Sequence, residues 1–220
     1  MMKSVLAALA IAALAVTAAG AADLTDPSTM TETAPDSYRA KFETTKGVFV
    51  IEVTRDWAPI GADRFYNLVK NGYYDDVRFF RVLDGFIAQW GMHGDPAIGK
   101  VWRDATIQDE VVKQGNAKGT VTFAKGGPNS RTTQVFINFA NNTRLDSMGF
   151  PAFGKVVEGM DVVTSLYSGY GEGAPRGGGP NQGQIAQFGN AYLEKSFPKL
   201  DYVVKATVEA AAAPEEKPAD

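Results

Sequence analysis

Apolar and polar residues alternate through residues 38–53 (YRAKFETTKGVFVIEV), in two halves that meet at Thr45-Lys46-Gly47. Successive strand side chains point to opposite faces, so a period of two broken by a glycine-containing turn predicts a β-hairpin. The period then changes. Ala58-Pro59-Ile60-Gly61 opens a helix, Phe65, Leu68 and Val69 make its apolar stripe, and Asn71-Gly72 stops it as a C-cap would. Strand-like runs follow at 78–83, 86–90, 120–124, 135–139 and 153–157, with a short second helix over 160–166 and a late strand over 202–208. Short strands, many glycines and two modest helices predict a mainly β fold, a closed antiparallel barrel with helical plugs. The same periods also fit a sandwich.

The ends of the chain read differently from this unit. Met1-Met2-Lys3, an apolar run over 5–16 and Ala19-Gly20-Ala21-Ala22 have the order of a secretory signal peptide over residues 1–22, cleaved near Ala21 or Ala22. The run is too short to span ~30 Å of hydrocarbon. Residues 23–36 are rich in Thr, Pro and acidic groups with no apolar period, which predicts a mobile linker. Residues 210–220 read as a solvated tail, leaving 37–209 as the single folded domain. The expected location is periplasmic or secreted.

Charge and composition narrow the chemistry. A net charge of −3 over 220 residues lacks the basic footprint of nucleic-acid binding. With no cysteine there is neither a disulfide framework nor a thiol nucleophile. His93 is the only histidine; beside Asp95 it is weak evidence for a metal and reads more simply as a loop residue with a local hydrogen bond. No Gly-x-Ser-x-Gly elbow accompanies the serines. Residues 168–182 (SGYGEGAPRGGGPNQ) are glycine-rich, but two prolines interrupt them and no Gly-Lys-Ser/Thr ends them, so a surface loop is expected rather than a phosphate cradle.

A different grouping stands out. Phe79-Phe80-Arg81-Val82-Leu83-Asp84-Gly85-Phe86-Ile87-Ala88-Gln89-Trp90 sets an arginine on a strand before a tight turn and a second strand. Phe123-Ala124-Lys125-Gly126-Gly127-Pro128-Asn129-Ser130, Gln134-Val135-Phe136-Ile137-Asn138, and Leu145-Asp146 before Phe153-Gly154-Lys155-Val156 follow in order. Together these segments resemble the cyclophilin family of peptidyl-prolyl cis/trans isomerases. Tyr167-Ser168-Gly169-Tyr170-Gly171-Glu172-Gly173 and Asn190-Ala191-Tyr192-Leu193-Glu194-Lys195 look like an exported bacterial branch of it.

The resemblance implies a closed eight-stranded antiparallel barrel capped by two α-helices, acting without cofactor or metal, as a monomer, on proline-containing polypeptides. It makes Arg81 the catalytic residue and sets Phe86, Ile87, Phe136 and Leu145 around the proline. Gln89 would steady Arg81 or bind the substrate backbone, Ala124 and the backbone of Lys125 would flank the peptide, and Gln134 would meet the residue before proline. Four positions depart from the family pattern. Arg144 replaces a common Trp, which removes the basis for expecting tight binding of cyclosporin-type cyclic peptides. Phe150 stands in for a wall-forming His, Phe80 precedes the arginine where His is frequent, and Lys125 replaces Asn, with a side chain that would favour acidic substrates. Two other readings stay open: a non-catalytic proline-binding module or holdase, and a small-molecule-binding barrel.

Overall fold

Strands β1 (Ser37–Thr44) and β2 (Gly47–Thr54) form the expected hairpin in the computed structural model, which describes residues 23–210. Tyr38, Ala40 and Phe42 of β1 all point into the core. Phe42 and Phe49 stand opposite each other across the hairpin with rings stacked 5.0 Å apart. Trp90 closes on Phe42 edge-on at 5.8 Å, an arrangement the ring quadrupole favours.

The remaining strands are β3 (Arg81–Leu83), β4 (Ile87–Trp90), β5 (Thr120–Phe123), β6 (Val135–Asn138), β7 (Ala152–Glu158) and β8 (Val203–Ala210). They join the hairpin in one sheet of order β3-β4-β6-β5-β7-β2-β1-β8, antiparallel at every pairing. The expected closure is not found. The end strands β3 and β8 share no ladder, and the sheet curls into an open half-barrel. Its two ends are stitched by an isolated bridge between Arg78 and Tyr202 and by backbone bonds such as Phe79 N–H to Asp201 O at 2.9 Å. With only three residues, β3 is too short to lie along the eight of β8.

Helix α1 (Pro59–Lys70) buries Phe65, Leu68 and Val69 as its stripe required. Its first turn is capped from a distance, because Glu110 accepts from Ile60 N–H at 2.7 Å and Gly61 N–H at 3.0 Å. Helix N-termini attract such a carboxylate, and buried Arg131 holds it in place at 2.9 Å. Helices α2 (Pro96–Asp104), α3 (Arg144–Ser147) and α5 (Gln182–Ser196) have no counterpart in the sequence reading, whereas α4 (Met160–Thr164) does. Gly183 and Gly189 obscure α5 by their low helix propensity. Gly189 is required nonetheless, since its φ is +57° and a Cβ there would lie 1.9 Å from Gly94 O. Through Ile185 and Leu193, α5 covers Phe80, which explains an apolar residue just before Arg81.

Residues 23–36 are not a free linker. Met30 and Ala34 are buried, Trp102 Nε1 donates to Leu24 O at 2.8 Å, and Asn67 on α1 exchanges two hydrogen bonds with the backbone of Glu32. Docking of this kind uses backbone groups and single apolar side chains, so it leaves no period to read. At the other end, Ala210 still pairs with Tyr38. Residues 1–22 and 211–220, and hence the signal-peptide reading and nearly all of the tail, lie outside the described residues.

A buried polar network joins β5 and β6 to α3. Asn116 is fully buried; its Nδ2 donates to Asp146 Oδ1 and to Phe150 O, both at 2.8 Å. Its Oδ1 accepts from Thr122 Oγ1 at 2.9 Å and from Asn138 Nδ2 at 3.1 Å. Every polar atom of that side chain is satisfied, and removing it strands several partners in low dielectric. Asn116→Ala is therefore expected to cost about 3 kcal/mol, read as a lower urea midpoint at unchanged slope.

Candidate active site

The site lies on the outer face of the sheet, and strand register builds it. Arg81 stands opposite Gln89, and Gln89 opposite Phe136, so the three side chains share one face of β3, β4 and β6. Ile87 lies on that same face two residues before Gln89, while Ala88 and Trp90 turn into the main core. Both faces of β4 are consequently buried.

Ile87, Phe136 and Leu145 form a buried apolar cluster with Phe86, Ala124 and Phe150 packed around it. This is the floor of an open groove of 530 Å³. Arg81, Gln89 and Lys125 also line the groove. Of the residues the resemblance sets around the substrate, only Gln134 lies outside the lining, and it is joined to the site through Gln89. Helix α3 supplies Leu145, and the network through Asp146 and Asn116 fixes Leu145 and Phe150 relative to β6. The Phe150 ring meets Phe136 at 6.1 Å and lines the groove. Arg144 and Met148 complete that rim.

Polar contacts run in a chain across the groove. Arg81 Nη1 donates to Gln89 Oε1 at 3.1 Å, and Gln89 Nε2 donates to Gln134 Oε1 at 2.9 Å, which fixes the orientation of the Gln89 amide. Gln134 is anchored by its neighbour Thr133, whose carbonyl accepts from the buried Tyr74 hydroxyl at 2.9 Å. Burial pushes that phenol well above its ordinary pKa, so it stays a donor. The Arg81 guanidinium lies 5.8 Å from the Phe86 ring centre. Lys125 does not project freely toward a substrate. Its ammonium pairs with Asp109 at 3.2 Å and lies over the Phe150 ring at 5.4 Å. Burial raises the Asp109 carboxyl, but the Asn129 N–H and the charges of Lys125 and Arg131 outweigh that and hold it below its ordinary value.

One prominent residue was not legible from the sequence. Glu172, in the glycine-rich loop, grips Arg81 with both oxygens: Oε1 to Nε at 2.7 Å and Oε2 to Nη2 at 2.6 Å. The loop is thus a surface loop as expected, but it is also a wall of the groove through Gly173, Ala174, Pro175 and Arg176. Glu172 lies 91 positions from Arg81, and no local period links them. Its only signal was to be the single carboxylate in a run of glycines.

His93 is a local structural residue. Its Nδ1 accepts from Asp95 N–H at 2.9 Å, and burial lowers its pKa. Among the described residues, no three His, Cys, Asp or Glu side chains converge as a metal site would require. None of the helices there is long and apolar enough to cross a membrane.

Hydrogen bonds from Arg81 hold the Glu172 carboxyl below its usual range. Partial burial opposes them, while the Arg81 charge, the Gly173 N–H and the Arg176 charge reinforce them. A depressed carboxylate pKa means the pair contributes fully above the ordinary value and is lost as pH falls through the folded one. The Arg81 Nε–H resonance should therefore keep its hydrogen-bonded shift from neutral pH down to the ordinary carboxylate range and change only below it. A shift midpoint at or above that range would contradict the arrangement.

Comparison with known proteins finds similar chains of one family. The model of the family described as cyclophilin type peptidyl-prolyl cis-trans isomerase matches residues 39–185. A peptidyl-prolyl cis-trans isomerase of Acinetobacter baylyi is 36% identical over 57% of this chain and 70% of its own length. Another, from Rhizopus delemar, is 38% identical over 59% of this chain but only 21% of that much longer protein. A crystal structure of a cyclophilin type peptidyl-prolyl cis-trans isomerase of Cryptosporidium parvum shares the fold, with a TM-score of 0.58 at 18% identity over 80% of this chain and 99% of the other.

Proposed function

The chain belongs to the cyclophilin-type peptidyl-prolyl cis-trans isomerase family, and on that premise we propose that it speeds X–Pro isomerisation in exported proteins through Arg81. The uncatalysed bond crosses ~18–20 kcal/mol because twisting destroys amide resonance. In the twisted state the prolyl nitrogen becomes pyramidal and regains a lone pair. A fixed donor aimed at that nitrogen favours the twisted state over either planar one. The observation that carries this reading is the Arg81 guanidinium, bonded to Gln89 at 3.1 Å and lining the same groove as the apolar floor of Ile87, Phe136 and Leu145.

The floor holds the proline ring still while the preceding carbonyl rotates. Arginine suits its task because its planar fork is always charged and can serve two partners at once. Gln89 steadies Arg81, Gln134 retains amide donors for the residue before proline, and the backbone at Ala124 and Lys125 flanks the peptide. Lowering the barrier by about 7 kcal/mol would mean roughly 10⁵-fold acceleration. A single donor supplies about 10²- to 10³-fold, so ring immobilisation must provide the rest. The export role rests on residues 1–22 and the bacterial look of the 167–173 and 190–195 segments. A monomer in the periplasm, with prolyl polypeptides as its only partners, fits that reading.

The Arg144 and Phe150 side of the groove supports a second reading, a non-catalytic binder of extended prolyl segments. Exchange spectroscopy on an Ala-Pro peptide separates the two. Wild type should accelerate exchange over buffer, and Arg81→Ala should lose about 10²- to 10³-fold in kcat/KM while remaining folded. Peptide binding with no acceleration by wild type would leave the binder in place of the enzyme.

A further inference from the structure

The glycine-rich loop is shaped around Glu172. The Glu172 carbonyl accepts from Gly179 N–H at 2.9 Å and its carboxylate from Gly173 N–H at 2.9 Å. Gly177 lies so close that a Cβ there would sit 2.3 Å from Glu172 O. A solvated loop carries no such constraint. Here the backbone packs tightly about one residue and delivers its side chain to Arg81.

A guanidinium has five N–H donors. Glu172 occupies the Nε–H and one Nη2–H, and Gln89 occupies one Nη1–H. Two donors remain, one on each Nη. Gln89 alone would leave the fork free to swing about its long, flexible stem, whereas a two-point carboxylate grip fixes its plane. The loop lines the groove without filling it, since a space of 530 Å³ remains over the floor.

From this geometry we infer that Glu172 is the positioning residue for Arg81, fixing the plane of its guanidinium so that the two remaining N–H groups face the substrate. This rests on the isomerase reading above. Glu172 acts through Arg81 and need not touch the peptide, so its loss should lower kcat more than it raises KM. Misplacing a catalytic group by about 1 Å costs on the order of 10²-fold.

Steady-state exchange kinetics on the Ala-Pro peptide test it with Glu172→Ala, Glu172→Gln, Arg81→Ala and the Arg81→Ala/Glu172→Ala pair. Glu172→Ala should lose about ten- to a hundredfold in kcat with KM within about twofold. Glu172→Gln keeps the shape and one acceptor oxygen, so it should fall between the two. In the Arg81→Ala background, Glu172→Ala should cost nothing further, which separates positioning from loop packing. Unchanged or raised kcat in Glu172→Ala and Glu172→Gln would overturn the inference, a rise marking the contact as a brake. A loss that persists without Arg81 would also overturn it. If Arg81→Ala itself were as active as wild type, the isomerase mechanism would fail instead.

Discussion

The pairing of β4 between β3 and β6 is the constraint on which the rest of the site depends. Because the side-chain period of a strand is two, a slip by one residue would send Gln89 and Ile87 into the core and Ala88 and Trp90 out to the groove. The register that sets Arg81 opposite Gln89 and Gln89 opposite Phe136 thus decides groove geometry and core packing together. Trp90 locks it from the inside, wedged against Phe42, Phe49, Tyr74 and Phe79.

Two kinds of force then shape the groove. Its floor of Ile87, Phe136 and Leu145 is apolar and non-directional. Its polar side is a directed chain, Glu172 to Arg81 to Gln89 to Gln134, in which each contact limits the rotation of the next. Lys125, the residue that suggested an acidic preference, is tied to Asp109 and shielded by Phe150, so its charge serves the wall more than the ligand.

Much of this was legible in the chain, for specific reasons. The hairpin, the α1 stripe and the strands around Arg81, Gln89 and Phe136 have short-range periods, and the family resemblance supplied the order that brings distant segments together. Helix α5 was hidden by its glycines, of which Gly189 serves close approach to Gly94. Docking of residues 23–36 was hidden because it uses main-chain bonds to Asn67. Openness of the sheet follows from β3 covering only Arg81–Leu83 of the 78–83 run, a boundary that no residue pattern records. Glu172 was invisible because the partner it grips is remote in sequence.

The pairing of Ala210 with Tyr38 has a kinetic consequence. The first and last strands are hydrogen-bonded neighbours, and the sheet order places β1 between the second strand to be made and the last. Loop-closure entropy must be met before such distant contacts stabilise anything, and folds dominated by them form slowly. A nascent chain that has reached α3 already carries Ile87, Phe136 and Leu145 of the apolar floor, but neither the loop that holds Arg81 nor β7 and β8, which complete the sheet. Apolar groove and unpaired β1 edge are then exposed together, a state prone to association. A protein of this family would thus itself pass through the vulnerable interval that slow steps in other chains prolong.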